Sequence, residues 1–191
     1  EHALEHINKL QSVPSVLLYI NQILNEGKLG IAESKCREFL KKNPTNTYAM
    51  SLLSDIANRF GYFDDAELLL KNAVKFSPND GELRMKYALI LRKKQKFAKT
   101  MEQVNILCDQ FPENLSYQAQ KASEIMQNGD HKEAINLFNN ILKKNPYNFS
   151  ALTSKGHAEK TLGETTQAIN SYQEAYKLSL IHISEPTRHD Q

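Results

Sequence analysis

The sequence is short of most features that mark a chemically specialised chain. It holds two cysteines, Cys36 and Cys108, far apart and outside any Cys-x-x-Cys pair. That excludes a disulfide framework or a thiolate zinc site as its organising device. They read instead as small buried hydrophobes of a reducing compartment, so a cytoplasmic location is expected. No apolar run approaches the roughly 20 residues that a membrane span requires. Lysine and arginine number 24 against 22 acidic residues, so no overall field draws the chain to nucleic acid or to an anionic membrane. No stretch alternates apolar and polar residues with period two, and no strand is expected. A Gly-rich loop that would cradle a phosphate is also missing. The chain opens on Glu1 rather than Met, so the expectation is a piece of a longer protein from which a leader could have been lost. Forty per cent hydrophobic residues still provide enough apolar surface for a folded core.

What the sequence does contain is a period. Pro44, Pro78, Pro112 and Pro146 follow one another at steps of 34 residues. Two places after each stands Asn46, Asp80, Asn114 or Asn148. Gly27, Gly61, Gly129 and Gly163 keep the same register, with Gln95 in the one missing place. Ala32, Ala66, Ala134 and Ala168 do likewise, with Thr100 in the gap. Four columns in one register identify an internal repeat.

Each column has a physical task. Proline lacks an N–H and cannot continue a helix, so it closes the second helix of each unit. The Asn or Asp beyond it accepts hydrogen bonds from the free N–H groups of the next helix. Glycine takes the left-handed conformation that ends that helix. Asp64 and Asp65, or Asp130, then place negative charge at a helix start, where the dipole favours it. Alanine lets two helices approach closely, while Cys36, Leu70, Val104, Phe138 and Tyr172, again 34 apart, fill the space around it. Every unit therefore reads helix–turn–helix.

A 34-residue helix pair with a small residue, Gly, Ala, an aromatic and Pro in fixed order resembles the tetratricopeptide repeat (TPR). Residues 47–80, with LLSDIANRFGYFDDAELLLKNAVKFSP, carry the clearest match. The units are expected at 13–46, 47–80, 81–114, 115–148 and an incomplete 149–179. The resemblance implies an all-α fold, a right-handed superhelical solenoid of stacked TPR helix–turn–helix pairs, each contacting its neighbours. Residues 1–12 are expected to be the remnant of a preceding helix. A narrower resemblance lies in GHAEKTLGETTQAINSYQEAY, Gly156 to Tyr176. It is similar to the final repeat of bacterial TPR-containing sulfotransferases, which implies a C-terminal catalytic domain using the sulfate donor PAPS. No such domain follows in this sequence. The fifth proline, due at 180, is replaced by Leu180, and LIHISEPTRHDQ fits neither the repeat nor a capping helix. Residues 180–191 are expected to be a non-native, adapter-derived or linker-like tail.

No catalytic constellation emerges. His2, Glu5 and His6 match the H-x-x-E-H spacing of one zinc-peptidase group, but a third ligand and a cleft are wanting, so no metal is expected. Arg92, Lys93, Lys94, Lys96 and Lys99 form a basic run. Without interleaved aromatics it reads as helix-end charge rather than a nucleic-acid footprint. Asn114 and Asn148 match a glycosylation pattern, which their capping column already explains. His157 reads as a polar residue on an inner face, with no Ser or Cys nucleophile to pair with. The acidic residues are expected on solvated faces, and no cofactor is expected.

What remains is a groove. In TPR proteins the first helix of every pair lines the concave surface. By register that surface is expected to include Tyr48, Ser51, Asp55, Met85, Leu89, Arg92, Ser123, Met126, Thr153, His157 and Lys160. Relatives that hold a chaperone's terminal carboxylate use Lys and Asn on such helices. Here the matching places carry Ser51 with Asp55 and Met85 with Leu89, so that clamp is not expected. The expected partner is a peptide or protein, or the chain's own missing domain, rather than nucleic acid or membrane. Substituting Ala66→Leu or Ala134→Leu is expected to overpack a helix pair and to cost about 1–3 kcal/mol. Thermal melts of both variants check this, and unchanged melting would overturn the assigned register.

Overall fold

Proline, asparagine and glycine cut the chain where the sequence repeats them. A computed structural model describes residues 13–184, with side chains through Leu180. The HALEH motif, the rest of 1–12 and residues 185–191 lie outside the described residues. Among the described residues there are ten helices and no strand. They are α1 (Ser15–Asn25), α2 (Leu29–Lys42), α3 (Thr47–Phe60), α4 (Phe63–Phe76) and α5 (Gly81–Lys93). After them come α6 (Phe97–Gln110), α7 (Leu115–Gln127), α8 (His131–Lys144), α9 (Phe149–Thr161) and α10 (Thr165–Ser184).

The repeated columns do the work their chemistry assigns. Asn46 accepts from the Ala49 N–H, Asp80 from Glu82 and Leu83, Asn114 from Ser116 and Tyr117, and Asn148 from Ala151. Each such cap stabilises its helix by about 1 kcal/mol. The turn inside each pair needs a left-handed residue, met by Gly27, Gly61, Gly129 and Gly163 at φ between 78° and 96°. Gln95 takes the same place at φ 56°, a strained conformation for a residue with a Cβ. The alanine column is fully or almost fully buried, and Thr100 is 1% exposed in its gap.

The described residues fall in two compact units, divided after Gln103 within α6. In the first, α1 to α4 each pack on the next helix, α4 packs on α5, and α1 also meets α3. Leu17, Ile20 and Leu24 of α1, Ala32 and Cys36 of α2, and Ala49, Leu53 and Ile56 of α3 share one apolar core. A second core joins Ala57, Ala66 and Leu70 to Tyr87, Ile90 and Leu91. Each fully buried Leu or Ile contributes about 1.5–3 kcal/mol relative to exposure.

Polar side chains add ties between consecutive first helices. An Arg59 guanidinium N–H donates to the Leu24 carbonyl at 2.9 Å. The Lys86 ammonium donates to Ser51 Oγ at 2.9 Å, and that of Lys93 to Asn58 Oδ1 at 2.7 Å. All three span 35 residues, one period plus one. Lys93, Lys94 and Lys96 of the basic run are therefore engaged with neighbouring side chains. Lys93 also lies 5.6 Å from the centre of the Phe63 ring. Lys94 bonds Asp64 and Glu67, and Lys96 meets Glu67 at 2.6 Å.

In the second unit α7 packs on α8, α8 on α9 and α9 on α10, with α7 also meeting α9. Ala122, Ala134, Phe138, Ile141, Ala151, Leu152 and Ala158 are buried there. Two expectations are corrected in this unit. Glu124 and Glu159, read as solvated, are each 3% exposed. Both are satisfied, as burial demands: Glu124 accepts from Gln120 Nε2 at 2.6 Å, and Glu159 from Ser171 Oγ at 2.7 Å, with Lys155 at 3.6 Å. The second correction concerns the tail. With no proline at 180 to interrupt it, α10 continues through Leu180 to Ser184.

Glu67 generates a pH prediction. Burial raises its pKa, but the hydrogen bonds from Lys94 and Lys96 outweigh that and hold it below the ordinary 4.5. A depressed carboxyl pKa contributes stability that is fully present above the unfolded value and is lost as pH falls through the folded one. The melting-temperature gap between the parent and Glu67→Gln is expected to be open at neutral pH and to close as pH drops below about 4.5. A gap of the same size in strong acid would show that the ion pair is not its source.

Candidate functional site

The residues left over from packing on the first helices of each unit define the site. On α3, Tyr48, Ser51, Leu52 and Asp55 recur at helical spacing and so share a face. Together with Glu82, Leu83 and Lys86 of α5, the capping Asp80, and Asn21 of α1, they line a cleft of about 280 Å³. The cleft is thus built from consecutive first helices, held at their spacing by the cores beneath. Its walls are mixed: Leu52 and Leu83 are buried, while Tyr48, Asp55 and Lys86 are half-buried.

Lys86 crosses this cleft. Its ammonium donates to Asp55 Oδ2 at 2.8 Å and to Ser51 Oγ at 2.9 Å. The two charged side chains remain about one-third exposed, at 30% and 35%. An ion pair so wet is worth at most about 1 kcal/mol. Asp80 is engaged as the cap of α5, accepting the N–H groups of Glu82 and Leu83. Among the described residues, three carboxylates and one ammonium line the cleft.

The structure brings Tyr48, Ser51 and Asp55 together in this cleft. Met85, Leu89 and Arg92 lie on α5 outside its lining; Leu89 is exposed and the other two are half-buried. Glu82 and Lys86 also line the cleft and are not among the residues expected there from the sequence. Glu82 is one period after Tyr48, so the register already contained it. Lys86 is one period after Leu52, in a column that also holds Leu18, Gln120 and Ser154, so the register carried no signal for it.

In the second unit, Ser123 and Met126 of α7 and Thr153 of α9 are half-buried, and His157 and Lys160 are exposed. The Thr153 hydroxyl donates to the Phe149 carbonyl of its own helix at 2.9 Å. His157 has a partner on α10: its Nδ1 shares a 2.9 Å hydrogen bond with the Tyr172 hydroxyl. The two rings also meet edge to face, with centroids 5.4 Å apart. Gly156 makes room for this contact, because a Cβ there would stand 2.8 Å from the Tyr172 ring.

Burial holds both cysteine thiols above their ordinary range. Cys36 donates its S–H to the Ala49 carbonyl, and burial pushes its thiol up to about 11. Burial also raises the Cys108 thiol. Neither supplies the thiolate that a nucleophile or metal ligand requires. Among the described residues no helix is long and apolar enough to cross a membrane.

Comparison with known proteins places this architecture. Residues 149–182 match the tetratricopeptide repeat family model. No curated protein matches the chain. Among solved structures, MamA superposes with a TM-score of 0.75 at 16% identity, covering 86% of this chain and 96% of that one. MamA from Desulfovibrio magneticus RS-1, residues 41 to its end, gives 0.75 at 10% identity, covering 90% and 96%. YrrB, described as a TPR protein with an unusual peptide-binding site, gives 0.68 at 13% identity, covering 96% and 95%. At these identities the likeness establishes the fold: all-α, a solenoid of TPR helix pairs.

The Gly156 contact can be tested within the last repeat. Gly156→Ala is expected to drive the Tyr172 ring off His157 and to destabilise the protein by about 1–3 kcal/mol. The same substitution in a Tyr172→Phe background, where the ring is no longer tethered, is expected to cost less. Chemical denaturation of the four variants of this cycle checks it. Equal costs in both backgrounds would contradict the tether.

Proposed function

We propose that this chain is a non-catalytic interaction scaffold, which takes an extended peptide or a segment of a partner protein into the cleft between α3 and α5. The observation that carries this reading is the lining itself. Leu52, Leu83 and the half-buried ring of Tyr48 stand beside Ser51, Asp55 and Lys86 on two rigid helices. At about 280 Å³, the cleft falls at the lower edge of the roughly 300–1,000 Å³ of small-molecule sites. It suits one or two side chains of a chain laid along the helices rather than a whole metabolite.

Supporting this, YrrB shares the fold and is described as binding peptide at an unusual site. Met85, Leu89 and Arg92 extend the proposed contact surface along α5. In the second unit Ser123, Met126, Thr153, His157 and Lys160 form a separate proposed surface. The likeness of Gly156–Tyr176 to the last repeat of TPR-containing sulfotransferases adds no second reading, since Tyr172 accounts for both Gly156 and His157.

Selection from a random displayed-peptide library, followed by fluorescence polarisation on the enriched peptides, tests the proposal. Tyr48→Ala is expected to weaken their binding by about tenfold or more, as loss of a central aromatic anchor does. Tyr62→Ala, which truncates an aromatic ring outside the cleft that is 58% exposed, is expected to leave binding unchanged. Equal binding to both folded variants would remove the cleft as the site.

A further inference from the structure

We propose that this chain associates with further copies of itself head to tail, the exposed face of α10 on one copy receiving the exposed face of α1 on the next. The inference goes beyond the peptide-binding reading and does not depend on it. It starts from how neighbouring repeats meet inside the first unit. Leu40 of α2 packs against the cores that hold Met50 and Leu53 of α3. Val74 of α4, one period later, packs against the core that holds Tyr87 of α5. Each of these second helices thus offers its residue of one column to the first helix that follows. The first helix answers with two columns, those of Met50 and of Leu53.

Both halves of that contact recur uncovered. On the receiving side, Tyr176 of α10 stands in the column of Leu40 and Val74. Those two are half-buried, whereas Tyr176 is 61% exposed. Ile169 and Leu180 follow the helical stripe of Tyr176 and are exposed as well. On the inserting side, Val16 of α1 stands in the column of Met50 and Leu152, and Tyr19 in that of Leu53 and Tyr87. Those four counterparts are buried, but Val16 is exposed and Tyr19 is 51% exposed. Tyr19 keeps this exposure although the Lys35 ammonium lies 5.7 Å from its ring centre.

A second copy fits the α10 face because it brings apolar residues in the register already used within the chain. Val16 and Tyr19 have the spacing of Met50 and Leu53, so one turn of α1 presents to the α10 of another copy what α3 presents to α2. Taking Val16, Tyr19 and the Tyr176 ring out of water together is favourable. Repeat stacks grow by such nearest-neighbour contacts, and a boundary between copies differs from one between repeats in lacking a covalent link. The two faces are unlike, so the contact is heterologous. A bound pair still has one α1 face and one α10 face free, and association runs past two chains.

Sedimentation velocity over a concentration series tests this on the full chain. The weight-average mass is expected to rise with concentration beyond twice the single-chain 21.8 kDa. Tyr19→Glu and Tyr176→Glu, both at exposed positions, are each expected to remain a single chain throughout. Mixed together they retain one intact α10 face and one intact α1 face, so the mixture is expected to stop at two chains. Circular dichroism establishes that each variant is folded, and Val16→Glu with Ile169→Glu repeats the experiment on the same two faces should either fail. A parent that stays a single chain up to about 1 mM, the weak end of the affinity scale, overturns the inference. That is also the outcome if the chain's own residues 1–12, and not a second copy, cover α1. Pairing by either variant alone puts like faces in contact and overturns it equally. None of these outcomes bears on peptide binding at Tyr48, so the two readings fail separately.

Discussion

Within each compact unit, burial of the helices' apolar sides against one another is the constraint on which everything else depends. A two-helix unit of this length cannot shelter its own hydrophobic residues, so the protein repeats the unit and lets neighbours cover one another. The small residue of the alanine column sets how closely two helices approach. The larger residue four places later fills what remains. In the first unit the same relation recurs in polar form, as Arg59, Lys86 and Lys93 each reach back 35 residues to the preceding repeat. These ties are individually weak. Their common direction fixes the register of one first helix on the next.

The proposed contact surface is what this packing leaves uncovered. Because the second helices and the undersides of the first are engaged in cores, the inner face of α3 with α5 is free to vary in chemistry without loss of fold. That freedom is visible in the cleft, where Asp55 and Lys86 stand among positions that the core does not require to be charged. A site on rigid helices also keeps its geometry when empty, which limits the ordering cost of binding to the ligand's side.

Most of the fold was legible because it is written several times over. Any one of Pro44, Asn46 or Gly61 is a weak signal, but their recurrence at one interval is not. Even Gln95 was placed correctly by its column, although glutamine seldom adopts the conformation it takes here. The lining of the cleft was legible only in part. Tyr48, Ser51 and Asp55 follow from the face of one helix, whereas Lys86 enters the cleft from a column that elsewhere packs Leu52. Glu124 and Glu159 were misread for a related reason: periodicity marks a position as inward, but a charged residue there was taken as evidence of solvent. Gln120 stands one turn before Glu124 on α7, a partner that helical spacing does offer, whereas Ser171 reaches Glu159 from a different helix. The final helix ran past its expected end because the missing proline removes a stop without supplying another.

The claim that matters most is that a partner lies along the first helices of the first unit. Amide hydrogen exchange of the chain with and without a saturating bound peptide measures this directly. New protection in α3 and α5, centred on Tyr48 to Asp55 and Glu82 to Lys86, is the result the account predicts. Protection confined to α2 and α4, with α3 and α5 exchanging as in the free protein, would contradict it.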